Sequence, residues 1–160
     1  MIIKTQLSEK EYINVSFVLL YKKPYIKIIY GALIFCILLS TFGSSILGRN
    51  LYSDLLTPMI ILAIYPAFTY LAAKRNYATN TRIKENIEYK FEKDYLVIEG
   101  ESFKSQLRWD KIYKVTQTKN WVLIWQNRQI ANVIPKADIW EGERAELKII
   151  LTQFNIKNNL

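Results

Sequence analysis

Two long apolar stretches free of charged residues lie next to each other in the first half of the chain, at residues 28–48 and 55–73. A helix needs about 20 apolar residues to cross the hydrocarbon core of a bilayer. A core helix of a soluble protein usually has a polar face, and a signal peptide would not follow 27 residues rich in polar groups. The pattern therefore predicts an integral membrane protein with a transmembrane helical hairpin over residues 28–73.

Basic residues gather at the outer ends of the two predicted spans, whereas the short connection at 49–54 has one charge of each sign. A connection this short requires the two helices to run antiparallel. The positive-inside rule then places both termini in the cytoplasm of a bacterial inner (plasma) membrane. Five of these cations are predicted contacts for anionic lipid headgroups: Lys22, Lys23, Lys27, Lys74 and Arg75.

Small residues recur at intervals of four within the predicted spans. They are Ser40, Ser44 and Gly48 in the first span, and Ala63 and Ala67 in the second. Such spacing lets two helices approach closely, so these residues are predicted helix-packing positions. A polar pathway is the less favoured interpretation, because neither span contains an ionisable residue.

The segment before the first span, residues 1–27, combines a strand-like opening with a helical signal. Residues 2–7 have the composition of a strand, and Ser8 with Glu11 three positions later forms a capping-box pattern. We expect a short strand followed by an amphipathic helix that ends near the membrane.

Residues 78–160 have the pattern of a small β-rich domain. Six short apolar segments separated by turn residues predict antiparallel strands; they lie near 87–91, 95–98, 103–108, 112–115, 121–125 and 130–134. Asp138 is the predicted N-cap of a closing helix, on which Leu147, Ile150, Leu151 and Phe154 form one apolar face. The expected fold class is α+β: a transmembrane hairpin followed by a pleckstrin-homology-like β domain closed by a C-terminal helix.

The residues that most often carry catalysis are scarce in this chain. Histidine is absent, Cys36 is the single cysteine, and there are five glycines. These counts exclude a Ser-His-Asp or Cys-His site, a Cys/His metal cluster and a glycine-rich phosphate loop. We therefore predict a protein that is not an enzyme and that needs no cofactor or metal. The net charge of +8 lies mostly in residues 1–77, which favours membrane lipids over nucleic acid as a partner.

Three motifs in the second half resemble the YcxB-like family of small bacterial membrane proteins. They are Tyr-x-Phe in residues 87–91, Trp-x-x-Ile-x-x-Val in residues 108–115, and Ile-Pro-Lys in residues 133–137. Trp140 stands where an aromatic residue, often Phe, follows the Pro-Lys pair in that family. The resemblance covers the whole architecture, with the sharper matches in residues 87–137. It implies two spans followed by a cytoplasmic C-terminal domain, and it implies no chemistry.

Four residues of the β domain form a candidate partner surface: Trp109, Lys111, Lys136 and Trp140. For Trp109 the alternative is burial in the core, which is the more common fate of a Trp at the start of a strand. Trp121 and Trp125 share one face of a strand, and one of them could project outward.

Three functions are compatible with these sequence patterns. The favoured hypothesis is a non-enzymatic membrane protein whose cytoplasmic domain binds a protein partner or a second copy of itself. The first alternative is a lipid-sensing module that grips a headgroup through Lys104, Arg108, Lys111 or Lys114. The second alternative is a subunit of a small transporter or channel.

Overall fold

The computed structural model describes residues 1–47 and 51–160, except for the side chains of residues 44–47, 51–55 and 57. The chain forms two compact units. One is made of Met1–Ser8 together with Asn80–Leu160, and the other is Glu9–Thr79. The second unit is therefore an insertion within the sequence of the first.

The inserted unit consists of three helices: α1 (Glu9–Tyr21), α2 (Pro24–Leu47) and α3 (Leu51–Thr79). Helix α1 begins directly after Ser8, at the predicted capping position. Pro24 opens α2, where its fixed φ and its missing N–H suit the first helical turn. Helix α2 packs against α3, and because only residues 48–50 separate them in sequence, the two helices run antiparallel.

One helix in the described part of the chain is long and apolar enough to cross a membrane: Pro24–Gly43. Almost none of this segment is buried, and it covers most of the predicted first span. The predicted second span, 55–73, lies within α3 but begins among residues whose side chains are not described. Its described residues do not meet the length and hydropathy expected of a membrane-spanning helix.

The other unit contains two antiparallel sheets and a closing helix, so the predicted α+β class is confirmed. The first sheet has the order β1-β2-β3-β4 and the second β5-β6-β7. The elements are β1 (Ile2–Thr5), β2 (Ile87–Phe91), β3 (Tyr95–Glu99), β4 (Lys104–Arg108), β5 (Lys114–Gln117), β6 (Trp121–Trp125), β7 (Ala131–Pro135) and α4 (Glu141–Gln153). All six strands predicted after residue 80 are present, and no end differs from its predicted position by more than two residues.

Strand β1 pairs with β2, although 81 residues separate the two strands in sequence. In their antiparallel register, Ile3 lies opposite Tyr89 and Thr5 lies opposite Ile87. The chain therefore leaves β1 and enters β2 at the same end of this strand pair. The strand composition of the opening segment predicted β1, but not its partner. The first sheet is thus assembled from residues on both sides of the helical insertion.

The core of this unit lies between the two sheets and α4. Buried residues from each part meet in one cluster, among them Ile3, Leu96 and Ile98 of the first sheet, Val115, Val122, Ile124 and Ile134 of the second, and Leu147 and Leu151 of α4. The predicted apolar face of α4 is thereby confirmed. All five residues of β6 are buried, so the prediction that Trp121 or Trp125 projects outward is wrong.

Helix α4 begins two residues later than predicted. Asp138 ends a short 3-10 turn, Lys136–Asp138, and Trp140 occupies the N-cap position. The capping is done by Glu143, whose Oε2 accepts a hydrogen bond of 2.9 Å from the backbone N–H of Trp140. A carboxylate at the third helical position can satisfy the first turn in this way, so the helix does not need Asp138 as its cap.

Candidate functional site

The five predicted headgroup contacts lie at one end of the inserted helical unit. Lys22 and Lys23 lie between α1 and α2, Lys27 is in the first turns of α2, and Lys74 and Arg75 are near the end of α3. Because α2 and α3 are antiparallel, the start of one and the end of the other lie at the same end of the pair. Four of the side chains are exposed and Lys23 is half-buried, with its Nζ 5.9 Å from the ring centroid of Tyr25.

The predicted helix-packing positions are only partly found on packed faces. Ser40 is half-buried, and its Oγ donates a hydrogen bond of 2.8 Å to the carbonyl oxygen of Cys36. Ala63 and Ala67 are exposed, so α3 does not use them to pack closely onto α2 within this chain. The less exposed residues of α3 form a different stripe: Pro58, Leu62, Pro66, Thr69, Ala73 and Tyr77. The side chain of Ser44 and all of Gly48 lie outside the described residues.

Trp109 is part of the core, so its predicted place in an exposed partner surface is wrong. Its side chain is 3% exposed. The indole stacks between Phe91, at a centroid distance of 6.2 Å, and Phe154, at 5.4 Å. Its Nε1 donates a hydrogen bond of 3.1 Å to the carbonyl oxygen of Glu92. A buried Trp of this kind supplies apolar area while its N–H is satisfied.

The other three residues of the predicted partner surface are accessible to different degrees. Trp140 is 80% exposed, which is unusual for so large an apolar side chain. Lys136 is half-buried, and burial is the main cause that lowers its pKa, followed by the charge of Arg144. Lys111 is exposed with its Nζ 3.9 Å from Oδ2 of Asp110. Lys136 and Trp140 lie in the segment between β7 and α4, whereas Lys111 follows β4.

The three lysines and one arginine of the lipid-sensing alternative each have a partner within the protein. Lys104 pairs with Glu99, and both Arg108 and Lys111 pair with Asp110. The Nζ of Lys114 lies 5.5 Å from the ring centroid of Trp125. These cations are engaged locally, and the arrangement disfavours a headgroup site built from them.

A pocket of about 390 Å³ lies beside Trp109. It is lined by Asp94, Tyr95, Arg108, Trp109, Asp110 and Phe154. The charged groups that line it are exposed, and Nε of Arg108 already bonds to Oδ1 of Asp110 at 3.1 Å. Across residues 1–47 and 51–160, no group of three or more Cys, Asp or Glu side chains could hold a metal ion. The pocket therefore has no arrangement that favours general acid–base or metal chemistry.

A chain of ion pairs crosses the outer face of the four-stranded sheet. Lys4 of β1 pairs with Glu88 of β2 at 2.7 Å, and Lys90 of β2 pairs with Glu99 of β3 at 2.6 Å. Lys104 of β4 extends the chain to Glu99 at 3.3 Å. The hydrogen bond from Lys90 is the largest cause that lowers the pKa of Glu99, and the bond to Glu99 raises the pKa of Lys90. These alternating charges join β1 electrostatically to the three strands that follow the insertion.

We expect the substitution Glu99→Gln to lower the thermal unfolding midpoint at pH 7 and to have no effect at low pH. A carboxylate whose pKa is lowered on folding stabilises the fold above its ordinary pKa of about 4.3, and this contribution disappears as pH falls through the lowered value. Tryptophan fluorescence melts between pH 3 and 7 measure the difference. Glu101→Gln, at an exposed position in the next turn, is the control. A deficit that persists unchanged at pH 3 would assign the effect to shape rather than charge.

Glu85 fixes the turn between β3 and β4. Its carboxylate accepts hydrogen bonds from Oγ of Ser102 at 2.6 Å and from the backbone N–H of Ser102 at 2.9 Å. These bonds lower the pKa of Glu85, with the Ser102 hydroxyl as the largest cause. A Cβ added at Gly100 would lie 2.6 Å from Oε2 of Glu85 and 2.5 Å from Cε1 of Phe103, so a larger residue here would displace one of these two side chains.

The chain after α4 returns along the edge of β5. Asn155 has a left-handed φ of 52°. The backbone N–H of Ile156 donates to the carbonyl oxygen of Leu151 at 2.8 Å, and that of Asn155 donates to Thr152 at 3.0 Å. This pair of bonds is a Schellman motif, which ends the helix and reverses the chain. Sequence reasoning missed the docking of this segment, because no local pattern relates residues 156–160 to β5.

Three hydrogen bonds hold this segment against β5. The backbone N–H of Val115 donates to the carbonyl oxygen of Lys157 at 2.9 Å. The backbone N–H of Gln117 donates to Oδ1 of Asn159 at 2.7 Å, and Nε2 of Gln117 donates to the carbonyl oxygen of Asn159 at 2.6 Å. The edge of the three-stranded sheet is thereby covered by the chain itself.

Comparison with known families assigns the central part of the β unit. Residues 91–148 match the family described as YcxB-like protein. Over these residues the chain is similar to the YcxB-like family. The predicted resemblance is therefore confirmed there, from the end of β2 to the middle of α4. No curated protein and no solved structure matches the chain. The matched range contains Phe91, Trp109, β5 and Trp140. Strand β1, the helical insertion, Phe154 and residues 156–160 lie outside it.

Proposed function

We propose that the chain is a two-span membrane protein that presents its YcxB-like unit to a protein partner on the cytoplasmic side. In this proposal α2 and α3 form a transmembrane hairpin inserted into the first loop of a pleckstrin-homology-like domain. The four-stranded sheet, the three-stranded sheet and the closing helix support this fold. The main support for this topology is the pairing of β1 with β2.

Backbone hydrogen bonds between β1 and β2 require both strands to be in the same compartment. The segment between them must then cross a bilayer an even number of times or not at all. Helix α2 is a candidate span whose side chains are almost entirely unburied. If α2 crosses the membrane, α3 must return the chain. Strand pairing and the distribution of basic residues therefore support the same hairpin independently.

The exposed apolar side chains of both helices support a lipid environment. On α2, Ile28, Phe35 and Phe42 are each more than half exposed, and on α3 the same holds for Phe68 and Leu71. In water such a surface would be a strong aggregation liability. The cations Lys22, Lys23, Lys27, Lys74 and Arg75 gather at the end of the helix pair that joins the β unit in sequence, which the positive-inside rule places in the cytoplasm.

Cysteine accessibility tests the topology. In a Cys36→Ala background, single cysteines are introduced as Gln6→Cys, Asn50→Cys and Asn86→Cys. We expect a membrane-impermeant maleimide to label position 50 in intact cells, and positions 6 and 86 only after the membrane is opened. The Cys36→Ala parent is the unlabelled control. Positions 6 and 86 on opposite sides, or all three on one side, would contradict the proposal.

Trp140 supports a role in protein interaction. Exposed tryptophans are enriched among residues that dominate binding energy at protein interfaces. We expect a stoichiometric partner to co-purify with the tagged full chain after gentle detergent extraction, and Trp140→Ala to reduce its recovery at least fivefold. Lys148→Ala, at an exposed position on α4, is the matched control. Recovery of lipid alone would contradict the protein-partner proposal and favour lipid sensing.

A further inference from the structure

The edge of β5 is occupied by a segment that is not a regular strand. Strand β5 pairs with β6 on one side. On the other side, within the described residues, residues 156–160 meet it through a single parallel bridge between Val115 and Asn158. A strand edge of this kind is a template for pairing with another extended chain.

We propose that the β5 edge is a docking site for an extended peptide of a partner protein, and that residues 156–160 occupy it as an internal ligand. This inference rests on the proposed interaction role and names its surface and its class of partner. The occupant would add a short parallel strand to the sheet, with affinity from main-chain hydrogen bonds and specificity from the side chains between them.

Two apolar residues of the segment 156–160 indicate which peptides the β5 edge can bind. Ile156 is 7% exposed and belongs to the core cluster, and Leu160 packs against the same cluster. These residues are four positions apart, and Asn159 lies directly before the second anchor. The preferred partner peptide is therefore an extended segment with apolar residues at positions one and five and a side-chain acceptor such as Asn at position four.

Gln117 is held ready to receive this acceptor. Its Oε1 accepts a hydrogen bond of 2.7 Å from Nη2 of Arg144 on α4. The amide is thereby oriented so that Nε2 and the backbone N–H both bond to Asn159. A donor pair fixed in advance does not need to be ordered when a partner binds, which favours binding.

Residues 156–160 compete with any external peptide for the β5 edge. The apparent affinity of such a peptide is its intrinsic affinity multiplied by the fraction of molecules in which the edge is free. Substitution Asn159→Ala removes the Oδ1 acceptor and leaves the backbone N–H of Gln117 without its side-chain partner. The loss of one such hydrogen bond shifts an equilibrium by about tenfold. Lys157→Ala is the matched control, because the side chain of Lys157 is exposed and its contribution is made through the backbone carbonyl.

The experiment is a titration of the full chain in detergent with a synthetic peptide of residues 155–160, followed through the amide signals of Val115 and Gln117 in nuclear magnetic resonance spectra. We expect saturable shifts of these amides, with an apparent affinity about tenfold tighter for Asn159→Ala than for the wild type or Lys157→Ala. A peptide in which the isoleucine is replaced by aspartate should produce no shifts.

Three outcomes would overturn the proposal. They are the absence of shifts in folded Asn159→Ala at millimolar peptide, equal affinity in all three proteins, and dimers formed by exchange of residues 156–160 between copies. The titration depends neither on membrane topology nor on Trp140. Failure here is therefore distinguishable from failure of the proposed function.

Discussion

Trp109→Ala is expected to lower the free energy of unfolding of the β unit by about 3–5 kcal/mol. The substitution removes a buried indole from between Phe91 and Phe154 and leaves the carbonyl oxygen of Glu92 without its donor. The resulting cavity lies where β2, the turn after β4 and the end of α4 meet, so it cannot close by the movement of one loop. A loss of this size is a large fraction of the stability of a domain of this length.

Guanidinium unfolding of the full chain in detergent measures this effect. All four tryptophans lie in residues 109–140, so their fluorescence reports on the β unit rather than on the helices. Trp140→Ala is the matched control, and we expect it to change stability by less than about 0.5 kcal/mol because its side chain is 80% exposed. Equal destabilisation by the two substitutions would contradict the assignment of Trp109 to the core.

Ile3→Ala is expected to destabilise the same unit by about 2–5 kcal/mol, although residues 9–79 separate it in sequence from the strands it supports. Ile3 is 1% exposed and pairs with Tyr89, whose hydroxyl donates a hydrogen bond of 3.3 Å to the carbonyl oxygen of Val133. Burial raises the pKa of Tyr89, which keeps its hydroxyl a hydrogen-bond donor. Loss of the Ile3 side chain therefore opens the contact between the two sheets.

Ile2→Ala is the control for this prediction, because Ile2 is 53% exposed on the opposite face of the same strand. We expect it to change stability by less than about 0.5 kcal/mol. Guanidinium unfolding followed by tryptophan fluorescence measures the stability of both variants. If Ile3→Ala were as mild as Ile2→Ala, β1 would not be an integral strand of the sheet. Strand pairing would then no longer require residues 1–8 and 80–160 to share a compartment.

These expected results connect the strand order of the β unit to the proposed function. A domain whose first strand precedes a helical insertion is complete only when both ends of the insertion return to the same side. In the proposed two-span topology, membrane insertion and folding of the β unit are coupled, because a chain with the wrong topology would not bring β1 to β2. The ion pairs of Lys4, Glu88, Lys90 and Glu99 strengthen this closure on the exposed face.

Much of the local structure followed from the sequence because it depends on short-range patterns. Alternation of apolar and polar residues located β2 and its neighbours, since successive side chains of a strand point to opposite faces. The spacing of Leu147, Leu151 and Phe154 located the face of α4 for the corresponding helical reason. Ser8 marked the start of α1, and three short motifs indicated the YcxB-like family before the comparison confirmed it over residues 91–148.

Sequence patterns failed where a choice depended on which surfaces meet. The four-residue spacing of Ala63 and Ala67 is compatible with close helix packing, but it does not say which side of α3 turns inward. Trp109 and Trp140 are both aromatic residues beside charged neighbours, yet one is buried and the other exposed. Asp138 has the chemistry of an N-cap, but Glu143 could satisfy the helix from within.

The sequence by itself determined the kinds of element in this protein: long apolar helices, a run of short strands and an amphipathic closing helix, because each is set by the periodicity of neighbouring residues. Only the tertiary structure decided that β1 joins β2 across the insertion and that residues 156–160 cover the edge of β5. Pairings of this kind join residues tens of positions apart. They are decided by the surfaces and hydrogen-bonding groups left unsatisfied once the local elements have formed, and a local sequence pattern does not contain that information.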